Sequence, residues 1–188
     1  MLAERTGAAI LLAAGFSRRF GTDKRQFTLD DGQPMLPATI ATYLAVFEFL
    51  TVVMRPEDTA LAAQISGCNI VYAGDAHLGM GHSLSAGMRS LLPVDFAFIG
   101  LADMPFIATS TLQQLIDCMG QLDDDAIVQP FYRDTPGHPV GFGRAHFDAL
   151  SNLTGDVGAK TVVQTHGAQL RAVKIDDAGV VRDLDVPP

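Results

Sequence analysis

A short basic segment interrupts a chain that is otherwise acidic. Arg18, Arg19, Lys24 and Arg25 crowd into Gly15-Phe16-Ser17-Arg18-Arg19-Phe20-Gly21-Thr22-Asp23-Lys24-Arg25, which directly follows the small residues Ala13 and Ala14. Small side chains let a ligand approach the backbone, and Gly15 and Gly21 permit turns that expose N–H groups to an anion. Backbone amides together with Arg and Lys suit a triphosphate. A solvated basic face on a strand turn has the same composition. The segment is not a P-loop, because Lys24 lacks the Gly-Lys-Ser/Thr context, and it is not a dinucleotide-binding Gly-x-Gly-x-x-Gly.

Further along, Gly79-Met80-Gly81-His82-Ser83 places glycines and a serine at the start of an apolar-patterned segment. That pattern fits either an anion- or base-facing helix N-terminus or an ordinary N-cap. Asp103 ends a strand-like run and is followed by Met104 and Pro105. A carboxylate there reaches the ligand edge of a sheet and is a hard oxygen ligand for Mg²⁺, which normally also takes substrate phosphates. A turn-capping Asp is the plainer alternative.

The elements that must carry these residues alternate between strand and helix patterns. Strands are expected at Ala8–Ala13, Phe49–Met54, Asn69–Tyr72, Asp95–Gly100, Ala126–Pro130, Val140–Phe142 and Leu170–Ile175. A helix opened by Pro34 and Pro37 carries Ile40, Tyr43, Leu44 and Phe47 at i, i+3, i+4, i+7. Another is expected from Pro56 to near Gly67, one through Leu84, Met88 and Leu91, and one starting at a Ser110/Gln113 capping box. Shorter helices are expected near Arg144–Leu150 and Ala159–Thr165. The alternation argues for a single α/β domain over residues 1–188, a mostly parallel, mixed Rossmann-like sheet in a three-layer α/β/α arrangement. Ligands of such sheets sit outside the carboxyl ends of the strands. The loops Gly15–Arg25, Gly74–Gly81 and Leu101–Pro105 should therefore gather on one edge.

Composition bounds the function. Of 188 residues, 48% are hydrophobic and 18% charged, a foldable mixture. The net charge of −8 argues against a sequence-independent nucleic-acid binder. Asp supplies 18 of the 21 acids, so the acidity belongs to loops more than to helix surfaces. Cys68 and Cys118 show no CxxC or Cys/His metal spacing, which suits free thiols in a reducing compartment. With no signal-peptide pattern at the N-terminus and no apolar run long enough to span a bilayer, a cytoplasmic protein without membrane partners is expected.

The run Leu12-Ala13-Ala14-Gly15-x-Ser17-x-Arg19-x-Gly21-x-x-Lys24 resembles the signature loop of the MobA-like nucleotidyltransferases, and within them the molybdenum cofactor cytidylyltransferases. The resemblance continues through Gly79–Gly87, through Asp103-Met104-Pro105, through Gly137-His138-Pro139 and through Gly155-Asp156-Val157-Gly158-Ala159-Lys160, where the family usually has Arg at the last position. It ends in Asp183-Leu184-Asp185-Val186-Pro187, where Val186 replaces a usual Thr. The resemblance implies a nucleotide-diphospho-sugar transferase type of fold. It implies transfer of CMP from CTP to the phosphate of molybdopterin, with release of pyrophosphate.

By the same resemblance, Leu12, Ala13, Ala14, Gly15, Ser17, Arg18, Lys24, Gly79, Ser83 and Gly87 bind the nucleotide. Arg18, Lys24 and Asp103 are catalytic, and Asp103 with Asp185 holds Mg²⁺. Gly137, His138, Pro139, Asp156 and Lys160 face the acceptor. Residues 1–107 then serve the NTP and residues 108–188 the acceptor, with a transient contact to a molybdoenzyme or its chaperone. A guanylyltransferase, a sugar-1-phosphate nucleotidyltransferase and a non-catalytic nucleotide or pterin carrier are the alternatives. A nicotinamide oxidoreductase is disfavoured, since Gly79-Met80-Gly81 comes late after Tyr72 and lacks a third glycine.

Overall fold

The computed structural model describes residues 5–16 and 20–184. One eight-stranded sheet runs through it, in the order β3-β2-β1-β4-β7-β5-β6, with β8 paired to β5. The strands are β1 (Gly7–Leu12), β2 (Phe49–Met54), β3 (Asn69–Tyr72), β4 (Phe96–Leu101), β5 (Ile127–Tyr132), β6 (Thr135–Pro136), β7 (Val140–Gly143) and β8 (Leu170–Lys174). β1 to β4 pair in parallel, β7 is antiparallel to β4 and β5, and β8 is parallel to β5. The expected mixed, mostly parallel α/β sheet is the observed one.

β1 is buried along nearly its whole length, as a strand covered on both faces must be. Its alternate residues divide between two cores. Ala9 and Leu11 join Tyr43, Phe98 and Leu115 on one face, while Ile10 joins Val53, Leu84 and Phe142 on the other. The first face is covered by α1 (Met35–Leu44) and α4 (Thr109–Gly120), the second by α3 (Met80–Arg89), α5 (Phe147–Ser151) and α6 (Lys160–Thr165). At Gly87 of α3, a Cβ would press on Val53 and Ile10, so this glycine lets helix and sheet pack closely. Among the described residues no helix is long and apolar enough to cross a membrane.

Three local expectations are corrected. The helix expected from Pro56 to Gly67 shrinks to α2 (Thr59–Ala62). The N–H groups of Gln64 and Ile65 bond three residues back, tightening its end, and Asp58 directs its carboxylate to Arg25 and Arg55 instead of capping it. α4 does not start on a Ser110/Gln113 box. Asp177, 69 residues downstream, accepts from the Ala108 N–H at 2.9 Å and, through the same oxygen, from Thr111 Oγ1 at 2.8 Å. β6 was not foreseen: Arg133 and Asp134, at φ 46° and 66°, turn the chain back on β5, as a tight hairpin requires.

Candidate active site

The loops that follow β1, β3 and β4 converge at the carboxyl ends of the strands, around a cleft of about 390 Å³. Leu12, Ala13, Ala14 and Gly15 form one wall, Gly79, Met80 and Ser83 another, and Leu101, Ala102 and Asp103 a third. Lys24, Arg25 and Asp156 complete its charged lining. A crossover at the first parallel strand opens such a crevice, which is why the three loops share one edge.

Lys24 and Asp103 pair within the cleft lining. Lys24 Nζ donates to Asp103 Oδ2 at 2.6 Å, and both side chains are largely sheltered, at 14% and 20% exposure. The other carboxylate oxygen, Asp103 Oδ1, is buried and has no hydrogen-bond partner among the described residues. A buried carboxylate oxygen with an unused acceptor is costly to leave unpaired. It fits a site completed by a cation or a donor brought in with substrate. A hard divalent cation needs few protein carboxylates when substrate phosphates supply its remaining oxygens. Among the described residues no three His, Cys, Asp or Glu side chains cluster as a metal cage. Asp185 lies outside the described residues. The chain leading to it is docked on the Asp103 loop, because the Leu184 N–H donates to the Asp103 carbonyl at 2.9 Å.

Ser17 and Arg18 also lie outside the described residues. Arg25 does not serve as a free cation, although it stands beside Lys24 in the sequence. It is 3% exposed, and its guanidinium is divided between Asp58, Asp23 and the Ala13 carbonyl. Burial opposes its charge, but the bonds from Asp58 and Asp23 outweigh that and raise its pKa. Burial likewise pushes Asp58 up, yet Arg25 and Arg55 hold its carboxyl well below the usual carboxylate range. Asp58 and Arg55 were missed as parts of this site. The signal was an Arg and an Asp three apart just past β2, on the sheet edge where ligands sit.

The opposite wall is built from backbone. Gly79 is the N-cap of α3 at φ 126°, ψ 170°, a conformation largely reserved to glycine. A Cβ at Gly79 would run into the Gly155 carbonyl, and the Gly81 N–H donates to that carbonyl at 2.9 Å. The first turn of α3 is thus locked to the Thr154–Gly158 loop. Ser83 is not the N-cap; it sits inside that turn, 5% exposed, facing the cleft. Asp156, expected on the acceptor side, lines the same cleft as the nucleotide-loop residues because of this lock.

The cleft lining does not include Gly87, Gly137, His138, Pro139 or Lys160. Gly87 is buried under α3 against the sheet, and Lys160 is exposed at the start of α6. His138 is held by its N–H to the Val180 carbonyl at 2.8 Å, and its Nδ1 is buried without a partner. Burial lowers its pKa, with the Ile99 carbonyl and the Asp103 and Asp183 charges acting the other way. His138 thus feels the charges of Asp103 and Asp183 without lining the cleft.

Known proteins share this architecture. The chain is 27% identical to the purine catabolism protein PucB of Bacillus subtilis (strain 168), over 95% of this chain and 91% of that protein. It is 29% identical to the bifunctional protein GlmU of Sphingopyxis alaskensis over 94% of this chain, but spans 39% of that longer protein. Among solved structures, Rv0371c from Mycobacterium tuberculosis superposes with a TM-score of 0.78 at 26% identity, covering 92% of this chain and 89% of that one. The same mycobacterial protein has also been solved in complex with manganese, with a TM-score of 0.76 at 25% identity over 92% of this chain and 89% of that one. Residues 9–172 match the MobA-like NTP transferase domain, so the chain belongs to that family of nucleotidyltransferases.

Proposed function

We propose that the protein is a cytoplasmic molybdenum cofactor cytidylyltransferase, moving CMP from CTP to the phosphate of molybdopterin. The observation that carries the reading is the cleft itself: a Lys24–Asp103 pair with one unused carboxylate oxygen, beside a wall of alanine methyls. An acceptor phosphate oxygen attacks the α-phosphorus of CTP in line, the new P–O bond forms, and pyrophosphate leaves. The attacking oxygen is already an anion, so no side-chain base is required, and the protein's task is positioning and charge neutralisation.

In this scheme Lys24, with Arg18, neutralises the triphosphate and the departing pyrophosphate. Asp103, with Asp185, would hold Mg²⁺, whose charge supports the α-phosphate and the incoming phosphate. The N-terminal turn of α3 turns its positive dipole end and the Ser83 hydroxyl toward the nucleotide, with Gly79 allowing close approach. Residues 1–107 serve the NTP and residues 108–188 the acceptor. Gly137-His138-Pro139 and Lys160 stand on the acceptor side, and Asp156 stands where the two halves meet. Lys160 keeps the charge of the usual Arg but not its bidentate fork.

The test is a panel of the four NTPs with molybdopterin as acceptor and Mg²⁺ present, scored by pyrophosphate release and by the dinucleotide product. CTP-dependent release supports the reading. Preferential use of GTP makes the protein a guanylyltransferase. Tight binding of nucleotide without release makes it a carrier.

A further inference from the structure

The signature loop is held at both ends by one carboxylate that does not line the cleft. A guanidinium has five N–H donors, and Arg25 spends all of them on the protein. Nε donates to Asp23 Oδ1 at 2.8 Å, and Nη2 to Asp23 Oδ2 and Asp58 Oδ1, each at 2.7 Å. Nη1 donates to the Ala13 carbonyl at 2.9 Å and to Asp58 Oδ2 at 2.5 Å. Asp58 is held from its other side by Arg55, through the backbone N–H at 3.0 Å, Nε at 3.1 Å and Nη2 at 2.7 Å. The Arg55 guanidinium in turn lies over the Phe16 ring, 5.1 Å from its centroid. Ala13 and Phe16 belong to the outgoing stem of the loop, while Asp23 and Arg25 flank Lys24 on the returning stem.

We infer that Asp58 is a positioning residue for nucleotide binding: through Arg25 and Arg55 it fixes both stems of the signature loop and so sets where Lys24 meets the triphosphate. Asp58 touches no substrate. Both of its arginines reach both carboxylate oxygens, and the planar, five-donor guanidinium of Arg25 is what lets one residue bridge Asp58, Asp23 and Ala13. A lysine has three donors on a single atom and cannot span the three. The effect on chemistry follows from geometry, because displacement of a catalytic group by about 1 Å can cost about 100-fold in rate.

The clasp is tested on the full chain with Asp58→Asn, Arg55→Gln and Arg25→Lys. Amide hydrogen exchange is followed by peptide, and binding of Mg·CTP and Mg·GTP by titration calorimetry. Asp58→Asn should speed exchange across residues 13–26 by about tenfold or more, while β4 and β7 keep wild-type protection. It should weaken the nucleotide Kd by about 10- to 100-fold with stoichiometry unchanged. A residue that only stabilised the fold would instead lower the stoichiometry and leave Kd in place. Arg55→Gln should show the same pattern more weakly, and it carries the test if Asp58→Asn does not fold. Arg25→Lys should resemble Asp58→Asn.

Unchanged exchange over residues 13–26 in the Asp58 variant, or the Arg55 variant in its place, overturns the clasp. Wild-type Kd in Arg25→Lys overturns the need for the fork. The inference rests on the nucleotidyl-transfer reading only in its calorimetric arm. Wild-type protein that binds neither nucleotide would sink the proposed substrate, while the exchange data still decide the clasp.

Discussion

The two main walls of the cleft are held in place by opposite means. The signature-loop side depends on charge: Lys24 on Asp103, and Arg25 and Arg55 on Asp58. The side formed by Gly79–Gly81 and Thr154–Gly158 depends on missing side chains, with backbone packed against backbone. A charged wall fails when a charge is removed, even at constant shape. A wall of bare backbone tolerates charge changes nearby but fails when a single methyl is added. The difference bears on the function proposed above, in which Lys24 of the charged wall meets a polyanionic triphosphate.

The largest expected effect comes from removing charge at constant shape. Asp103→Asn should lower Mg²⁺-dependent pyrophosphate release by about 10³-fold or more, with the thermal unfolding midpoint little changed. Wild-type turnover would remove Asp103 from the metal site. Lys24→Ala should cost about 100-fold in kcat/KM, raising the KM for NTP and lowering kcat. An NTP dependence like the wild type's would shift that role to the arginines of the loop. Gly79→Ala tests the other wall. Its φ of 126° and the Gly155 carbonyl both oppose a Cβ, so about 1–3 kcal/mol of stability should be lost. A variant as stable as the wild type in chemical denaturation would show that the two loops are not locked.

Acid should separate the walls as well. The Asp58 carboxyl is held below its ordinary value of 3.8, and that of Asp23 likewise. A depressed folded-state pKa contributes stability that is fully present above the unfolded value and is lost as pH falls through the folded one. The unfolding midpoint should therefore drop increasingly below about pH 4. Asp58→Asn should be less stable at neutral pH and show a shallower decline in that acid window. Parallel profiles for variant and wild type would mean that the ion pairs around Asp58 do not contribute.

Strand positions were legible because a buried parallel sheet writes itself as short apolar runs; β2 and β3 have the expected bounds. The convergence of three loops on one edge followed from the alternation of elements. Partners far apart in sequence were not legible. Nothing local announces that Asp177 caps α4, or that Asp58 claims Arg25, since each pairing is set by tertiary placement. Arg25 looked like a phosphate ligand because composition shows a cation but not the acids already facing it. Gly87 matched a motif glycine, and it also packs α3 closely on the sheet, a contact that spacing alone cannot distinguish from a ligand's approach.

The smallest effect concerns the base. Ala14 is 5% exposed, lines the cleft, and packs in one apolar cluster with Ala73 and Ala76. Its methyl therefore takes up space on the wall that faces the α3 turn, where a purine would need more room than a pyrimidine. Pockets that differ by a methyl discriminate by about 10- to 200-fold, or about 1–3 kcal/mol. CTP should be preferred over GTP in the wild type, and Ala14→Gly should narrow the gap by about tenfold without abolishing it. The ratio of kcat/KM for the two nucleotides, measured in both proteins, isolates the base from the shared triphosphate contacts of Lys24. A ratio unmoved by the substitution would place Ala14 against the ribose or the phosphates, and base selection would then fall to the wall built from Gly79, Ser83 and Asp156.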